Sequence, residues 1–303
     1  MKSLVLCFIL IVVFTTCSSE DWCYESQLIP DATCKGPATW TEVDPLCDGK
    51  GQSPINIVTK KAKRSYSLTS FKFTGYKEAF TSMLKNTGQT VVVTIPEGAT
   101  VSGGNLTQTY KAISVEFHWG KNGTSGSEHT IDGEKYPMEM HIQHIKNSYV
   151  GLEDALPDQS GVAMLSFFFV ESAIPNKQYS TFIEALKNVQ EASTETEFNV
   201  SLDSLILPMN QLSSYYRYEG SLTAPSCNEA VVWTVFKHPI PLSHDQLAEF
   251  FNLKFSDGEP MVNTFRPVQP GNGRTVYHSG SAVVVASFTL VCVSTALGLF
   301  LHI

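Results

Sequence analysis

The feature that most narrows the folds open to this chain is a recurrent two-residue hydrophobic alternation. It runs through residues 90–95, 113–119, 138–145, 162–170 and 230–236. Side chains of a strand point alternately to opposite faces, so each run reads as a β-strand with one core-facing side. Clusters of Gly, Pro, Asn and Asp separate the runs, as at 120–126 and 267–273, and supply the turns. Residues 182–189 and 244–251 have helical spacing instead and predict short helices on the outside. No fixed-period repeat and no low-complexity linker divides the body. The expectation is one mainly β domain with short helices. A net charge of -8 argues against nucleic acid as a partner, because phosphate backbones select basic faces.

The two ends read as addresses. Residues 1–19 carry one Lys ahead of an apolar run and then small residues, the pattern of a cleaved signal peptide. Residues 282–303 hold no Lys, Arg, Asp or Glu, and the chain stops without a basic flank. Small residues precede them, which predicts a removed GPI-attachment signal over 280–303 with Ser279 as the attachment residue. The polar spacer usual in such signals is almost missing, and a true membrane span is the other reading. The folded domain is then 20–279, secreted and held at the outer face of the plasma membrane.

Cys7, Cys17 and Cys292 fall in these ends, leaving Cys23, Cys34, Cys47 and Cys227. An even set in an oxidising compartment implies two disulfides, in any of three pairings. No CxxC spacing supports zinc ligation by these thiols. Sequons at Asn105, Asn122 and Asn199 are candidate glycosylation sites, which would place those segments at the surface.

Within 113–119, residues Ser114, Glu116 and His118 share the face opposite Ile113, Val115, Phe117 and Trp119. Within 138–144, Glu139, His141 and Gln143 share one face; Met138, Met140, Ile142 and His144 share the other. If the two strands are neighbours, Glu116, His118 and His141 line one wall. Two imidazoles and a carboxylate form a zinc set with one open position. A histidine in a strand is also commonly a hydrogen-bonded core residue, so the pattern alone leaves both readings open.

Six motifs carry the reading further: Gln52-Ser-Pro-Ile-Asn56, Phe117-His-Trp-Gly120, Gly126-Ser-Glu-His-Thr130, Met138-Glu-Met-His141, Gly220-Ser-Leu-Thr-Ala-Pro225 and Phe265-Arg-Pro-Val-Gln-Pro270. In that order they closely resemble the α-carbonic anhydrases across about residues 40–272. The signal, the four Cys and the apolar tail resemble the membrane-anchored extracellular branch. The resemblance implies a large, mostly antiparallel twisted sheet with zinc at the base of a conical cleft. It implies disulfides Cys23–Cys34 and Cys47–Cys227. In the family three His hold zinc, and a water activated there attacks carbon dioxide. His118 and His141 match two of those ligands, and Glu139 matches the carboxylate that steadies the third ligand. Thr223 and Glu128 match the pair that orients the attacking oxygen. Leu222, Val231 and Trp233 match part of the wall where carbon dioxide rests.

The pattern breaks at four places. The first ligand position holds Glu116 instead of His. A carboxylate can bind zinc, but it neutralises one of the ion's charges and so weakens its pull on water. The proton-shuttle position holds Gln89, which does not ionise near neutral pH. Two small apolar pocket positions hold Gln143 and Met164, one polar and one bulky. Two functions follow as expectations. One is a cell-surface pseudoenzyme, with lost or strongly reduced hydration and a small-molecule or protein ligand in its cleft. The other is a weakened zinc hydratase using Glu116, His118 and His141. Without metal, Glu116 is expected to raise the pKa of His118 and His141.

Overall fold

The computed structural model describes residues 22–28, 30 and 32–280. The expected signal peptide and most of the apolar tail lie outside them. Among the described residues no helix is long and apolar enough to cross a membrane.

The fold is mainly β, as the alternation predicts. Thirteen strands form one sheet. Its path runs Glu195–Val200, Phe80–Asn86, Val91–Thr94, Tyr110–Trp119, Met138–Lys146, Val162–Ser172, Val231–Phe236, Tyr215–Gly220, Tyr277–Ser279 and Lys63–Ser65. Most neighbours are antiparallel. Val162–Ser172 runs parallel to both Val231–Phe236 and Ile240–Ser243, and Tyr277–Ser279 runs parallel to Lys63–Ser65. All five alternating runs are strands, lengthened or trimmed at their ends. The two helical runs are shorter than expected. One is Ser180–Leu186; the other is His244–Ala248, which tightens into a 3-10 turn over Glu249–Asn252.

The register places the functional face. Glu116 lies opposite His141, His118 opposite Glu139, and Ser114 opposite Gln143. Residues directly opposite in a ladder share a face, so all six sit on one side of the sheet. The alternate residues Phe117, Met140 and Phe167 are fully buried on the other side. There Phe117 packs on Phe182 at 4.8 Å between ring centroids, and Trp119 on Phe250 at 5.4 Å. The helices thus cover the apolar face, and the polar face opens as a cleft.

Two cross-links close the N-terminal arm onto this body. Cys23 is bonded to Cys34, and Cys47 to Cys227, the pairing the resemblance implies. Asn105, Asn122 and Asn199 are all exposed. Ser279 is buried in the last strand, where its hydroxyl donates to the Ser213 carbonyl at 2.8 Å and accepts from the Tyr215 amide at 3.0 Å.

Candidate metal centre

A cleft of about 310 Å³ opens on the polar face. Its wall carries Glu116, His118, His141, Gln143, Met164, Leu222, Thr223 and Gln89. Glu128 and Glu139 are fully buried beneath it. Val231 and Trp233 also lie behind the surface, the Trp233 ring standing edge-on to His141 at 4.8 Å.

Glu139 organises the floor. Its Oε1 accepts from His129 Nδ1 at 2.7 Å, His141 Nε2 at 2.8 Å and Ser166 Oγ at 2.6 Å. Its Oε2 accepts from the backbone N–H groups of Glu128 and His129, both at 2.8 Å. Burial pushes the Glu139 carboxyl up, but the charges and hydrogen bonds of His129 and His141 outweigh it and hold the group well below the carboxylate range. Burial likewise pulls His141 down, and the carboxylates reverse it: Glu139 most, then Glu128, then Glu116. The expected rise at His141 is present, but its main source is Glu139 and not Glu116.

These bonds decide which nitrogens remain free. His141 spends its Nε2–H on Glu139, so in the neutral ring Nδ1 is the nitrogen left to bind a metal. His118 donates from Nδ1 to the Thr264 carbonyl at 2.7 Å, so Nε2 presents a lone pair. Both face Glu128 Oε2, His118 Nε2 at 3.6 Å and His141 Nδ1 at 3.9 Å. Neither His118 Nε2 nor Glu128 Oε2 has a hydrogen-bond partner, although both are buried. Three possible ligand atoms thus converge, and two of them, His118 Nε2 and Glu128 Oε2, are left without a hydrogen bond. An uncompensated arrangement of this kind is costly, and a divalent cation accommodates it. The residues therefore fit a metal. His129, Glu139 and His141 also cluster, but hydrogen bonds already satisfy that group, and it needs no ion.

Two sequence-based assignments look different in place. Glu116 is half-buried in the cleft wall but stands outside the group of converging donors; the carboxylate in that group is Glu128. Glu128 uses its other oxygen, Oε1, to accept from the Arg266 backbone N–H at 2.8 Å. Its Oε2 makes no hydrogen bond to Thr223, so the expected hydroxyl–carboxylate pair is not closed. Gln143 accepts from Ser114 Oγ at 3.2 Å, which gives its amide a polar partner inside the pocket. Gln89 donates from Nε2 to the Trp22 carbonyl at 3.3 Å, tying the shuttle position to the N-terminal arm.

Sequence reasoning missed four contributors. Trp22 and Tyr24 flank Cys23 and line the cleft; only their place beside a disulfide Cys hinted at it. The Thr264 carbonyl orients His118, and a backbone group leaves no side-chain signature. Tyr218 lies 2.6 Å from His129 Nε2 and 2.9 Å from Ser53 Oγ, extending the Glu139 network.

Comparison with known proteins agrees with this geometry. The pattern of the eukaryotic-type carbonic anhydrases matches residues 35–280. The chain is 36% identical to carbonic anhydrase 4 of Rattus norvegicus over 289 residues, covering 93% of each chain. It is 37% identical to carbonic anhydrase 15 of Mus musculus, covering 92% of this chain and 90% of that one. It is 35% identical to carbonic anhydrase 7 of Mus musculus, covering 82% and 95%. On sheet, cleft and matched length together, the chain belongs to the eukaryotic-type carbonic anhydrase family.

Proposed function

We propose that this is a cell-surface member of the family whose carbon dioxide hydration is lost or strongly reduced, and whose cleft serves to bind a ligand. The observation that carries the reading is the donor set. Where the family has three neutral imidazoles, this chain has two, His118 and His141, with Glu116 at the third position. When bound, zinc would supply Lewis acidity toward water, and a carboxylate in its donor set lessens that acidity. Gln89 neither ionises near neutral pH nor hangs free, so it does not carry protons out of the cleft. Gln143 presents an amide, and Met164 a long side chain, where an apolar gas would rest.

A second reading is a weakened zinc hydratase. What favours it is the convergence of lone pairs at His118, His141 and Glu128, and the full hydrogen bonding of Glu139, which keeps His141 turned for ligation. In that reading His118 and His141 hold the ion with a carboxylate from Glu128 or Glu116. Thr264 and Glu139 fix the two rings, and Leu222 and Met164 exclude water.

The address signals complete the proposal: cleavage after residue 19, a folded unit over 20–279, and a GPI anchor replacing 280–303. Attachment at Ser279 starts the anchor at the end of a paired strand and holds the sheet close to the bilayer. Release from intact cells by a phosphatidylinositol-specific phospholipase C tests the anchor; retention after treatment contradicts it.

A graded set of substitutions tests the activity reading. Glu116→His should raise zinc affinity at least ~10-fold, as expected for rebuilding a three-His set. Hydration should recover only partly until Gln143→Val and Met164→Val are added. Full recovery from the first change alone would show that the pocket residues were overrated. Brisk hydration by the unaltered chain would favour the second reading.

A further inference from the structure

A cavity of about 690 Å³ lies away from the metal cleft. It opens beside the strands Lys63–Ser65, Tyr215–Gly220 and Tyr277–Ser279. Along Tyr215–Gly220, Tyr216 and Tyr218 belong to the cluster behind the metal site. Arg217 alternates with them and points with Tyr215 to the opposite face.

Arg217 is only 7% exposed and lines this cavity. Its Nε and Nη2 both donate to one oxygen, Thr234 Oγ1, at 3.2 and 3.0 Å. The rings of Phe71 and Tyr215 stand 5.8 and 5.7 Å from the guanidinium carbon. Among the described residues no carboxylate lies within ion-pair distance of it, and Nη1 donates to no protein acceptor. A buried cation without countercharge is costly, and a guanidinium presents a planar fork suited to carboxylate and phosphate oxygens. Arg274, also on the cavity wall, donates only to backbone carbonyls, so its charge adds to the field. The one acidic residue of the wall, Glu219, is exposed and pairs with neither. The rest of the wall is rich in hydroxyls, among them Ser67, Thr107, Ser160 and Thr275, and the Tyr277 ring is 42% exposed beside them.

We propose that this cavity is a second binding site, which takes a small acidic sugar: a carboxylate or phosphate group on Arg217, with sugar hydroxyls on the Ser and Thr side chains and a ring face against Tyr277.

The test uses the secreted protein, enzymatically deglycosylated so that no sugar on Asn105, at the cavity edge, occupies the site. Glucuronate and glucose 6-phosphate are titrated separately, with glucose as the neutral control, while backbone amide resonances of residues 65–67, 105–107 and 275–277 are followed. At least one acid should bind saturably at ~1 mM or tighter, and glucose should not. Arg217→Gln should weaken that binding at least ~10-fold, the loss expected for one charged fork. Because Arg217 is buried, Ser67→Glu is the companion variant; Ser67 is exposed, and the added charge should abolish binding with an unchanged melting temperature. The proposal is overturned if neither acid binds, if glucose binds equally, or if binding survives Ser67→Glu.

Discussion

Replacing Glu139 by Gln tests how the floor of the cleft is built. The carboxylate accepts five hydrogen bonds, three on Oε1 and two on Oε2. The donors on Oε2 are backbone N–H groups and cannot become acceptors. The Gln oxygen must therefore face them, and its NH₂ must face His129, His141 and Ser166. Both imidazoles then have to move a proton to their other nitrogen. His141 would carry it on Nδ1, pointed at Glu128 Oε2, and Nδ1 would cease to be a ligand atom. Hydrogen bonds to a buried charge contribute ~1.5–3 kcal/mol each against ~0.5–1.5 for neutral ones. Losing that difference over these contacts, with partial rearrangement, destabilises the fold by about 3 kcal/mol, within the range for breaking a buried ion pair. Urea denaturation of the metal-free protein measures the loss, and imidazole nitrogen NMR reads the tautomer. The reasoning fails if Glu139→Gln unfolds within about 0.5 kcal/mol of the parent, or if His141 keeps its proton on Nε2.

Two further predictions follow from buried groups outside the cleft. Burial pushes His144 down to about 4 from 6.5, so the unfolded chain takes up this proton first as pH falls. Stability present above pH 6.5 should be lost between there and about pH 4, by about 3 kcal/mol; His144→Gln should flatten that part of the pH profile, and an unchanged slope contradicts it. Cys47 and Cys227 are 180 residues apart, and their bond anchors the segment that follows Thr223. Replacing both by Ser should cost about 2–5 kcal/mol in denaturation; an unchanged midpoint argues against this tether.

The parts of the fold that were legible are those where one face is uniformly apolar. The strands carrying Phe117 and Met140 alternate apolar and polar residues, so strand and face followed from the period, and their pairing is what the register adds. Phe80–Asn86 was illegible because its buried positions include Ser82 and Asn86. Asn86 Nδ2 is satisfied by the carbonyls of Val189, Gln190 and Lys254, none of them near in sequence. Tyr215–Gly220 hid for a related reason: Arg217 is buried between aromatic rings, where alternation would place it in solvent. At the site, the polar stripe singled out Glu116, His118 and His141 by side-chain type and spacing, and the family resemblance added Glu139. It did not show which carboxylate meets the two imidazoles. Glu116 and His118 share a strand, whereas Glu128 reaches the group from a loop through backbone contacts with Glu139 and Arg266. Those contacts exist only once the chain is folded.

The central claim is that a cleft with two imidazoles and a carboxylate supports little hydration. It is tested most directly by counting zinc per chain in the secreted protein and timing carbon dioxide hydration on the same sample by stopped flow. Carbonic anhydrases with three histidine ligands are already known to turn over at about 10⁶ s⁻¹. The account predicts turnover at least ~10³-fold below that known figure, whether or not zinc is retained. Stoichiometric zinc with turnover near that figure would contradict it.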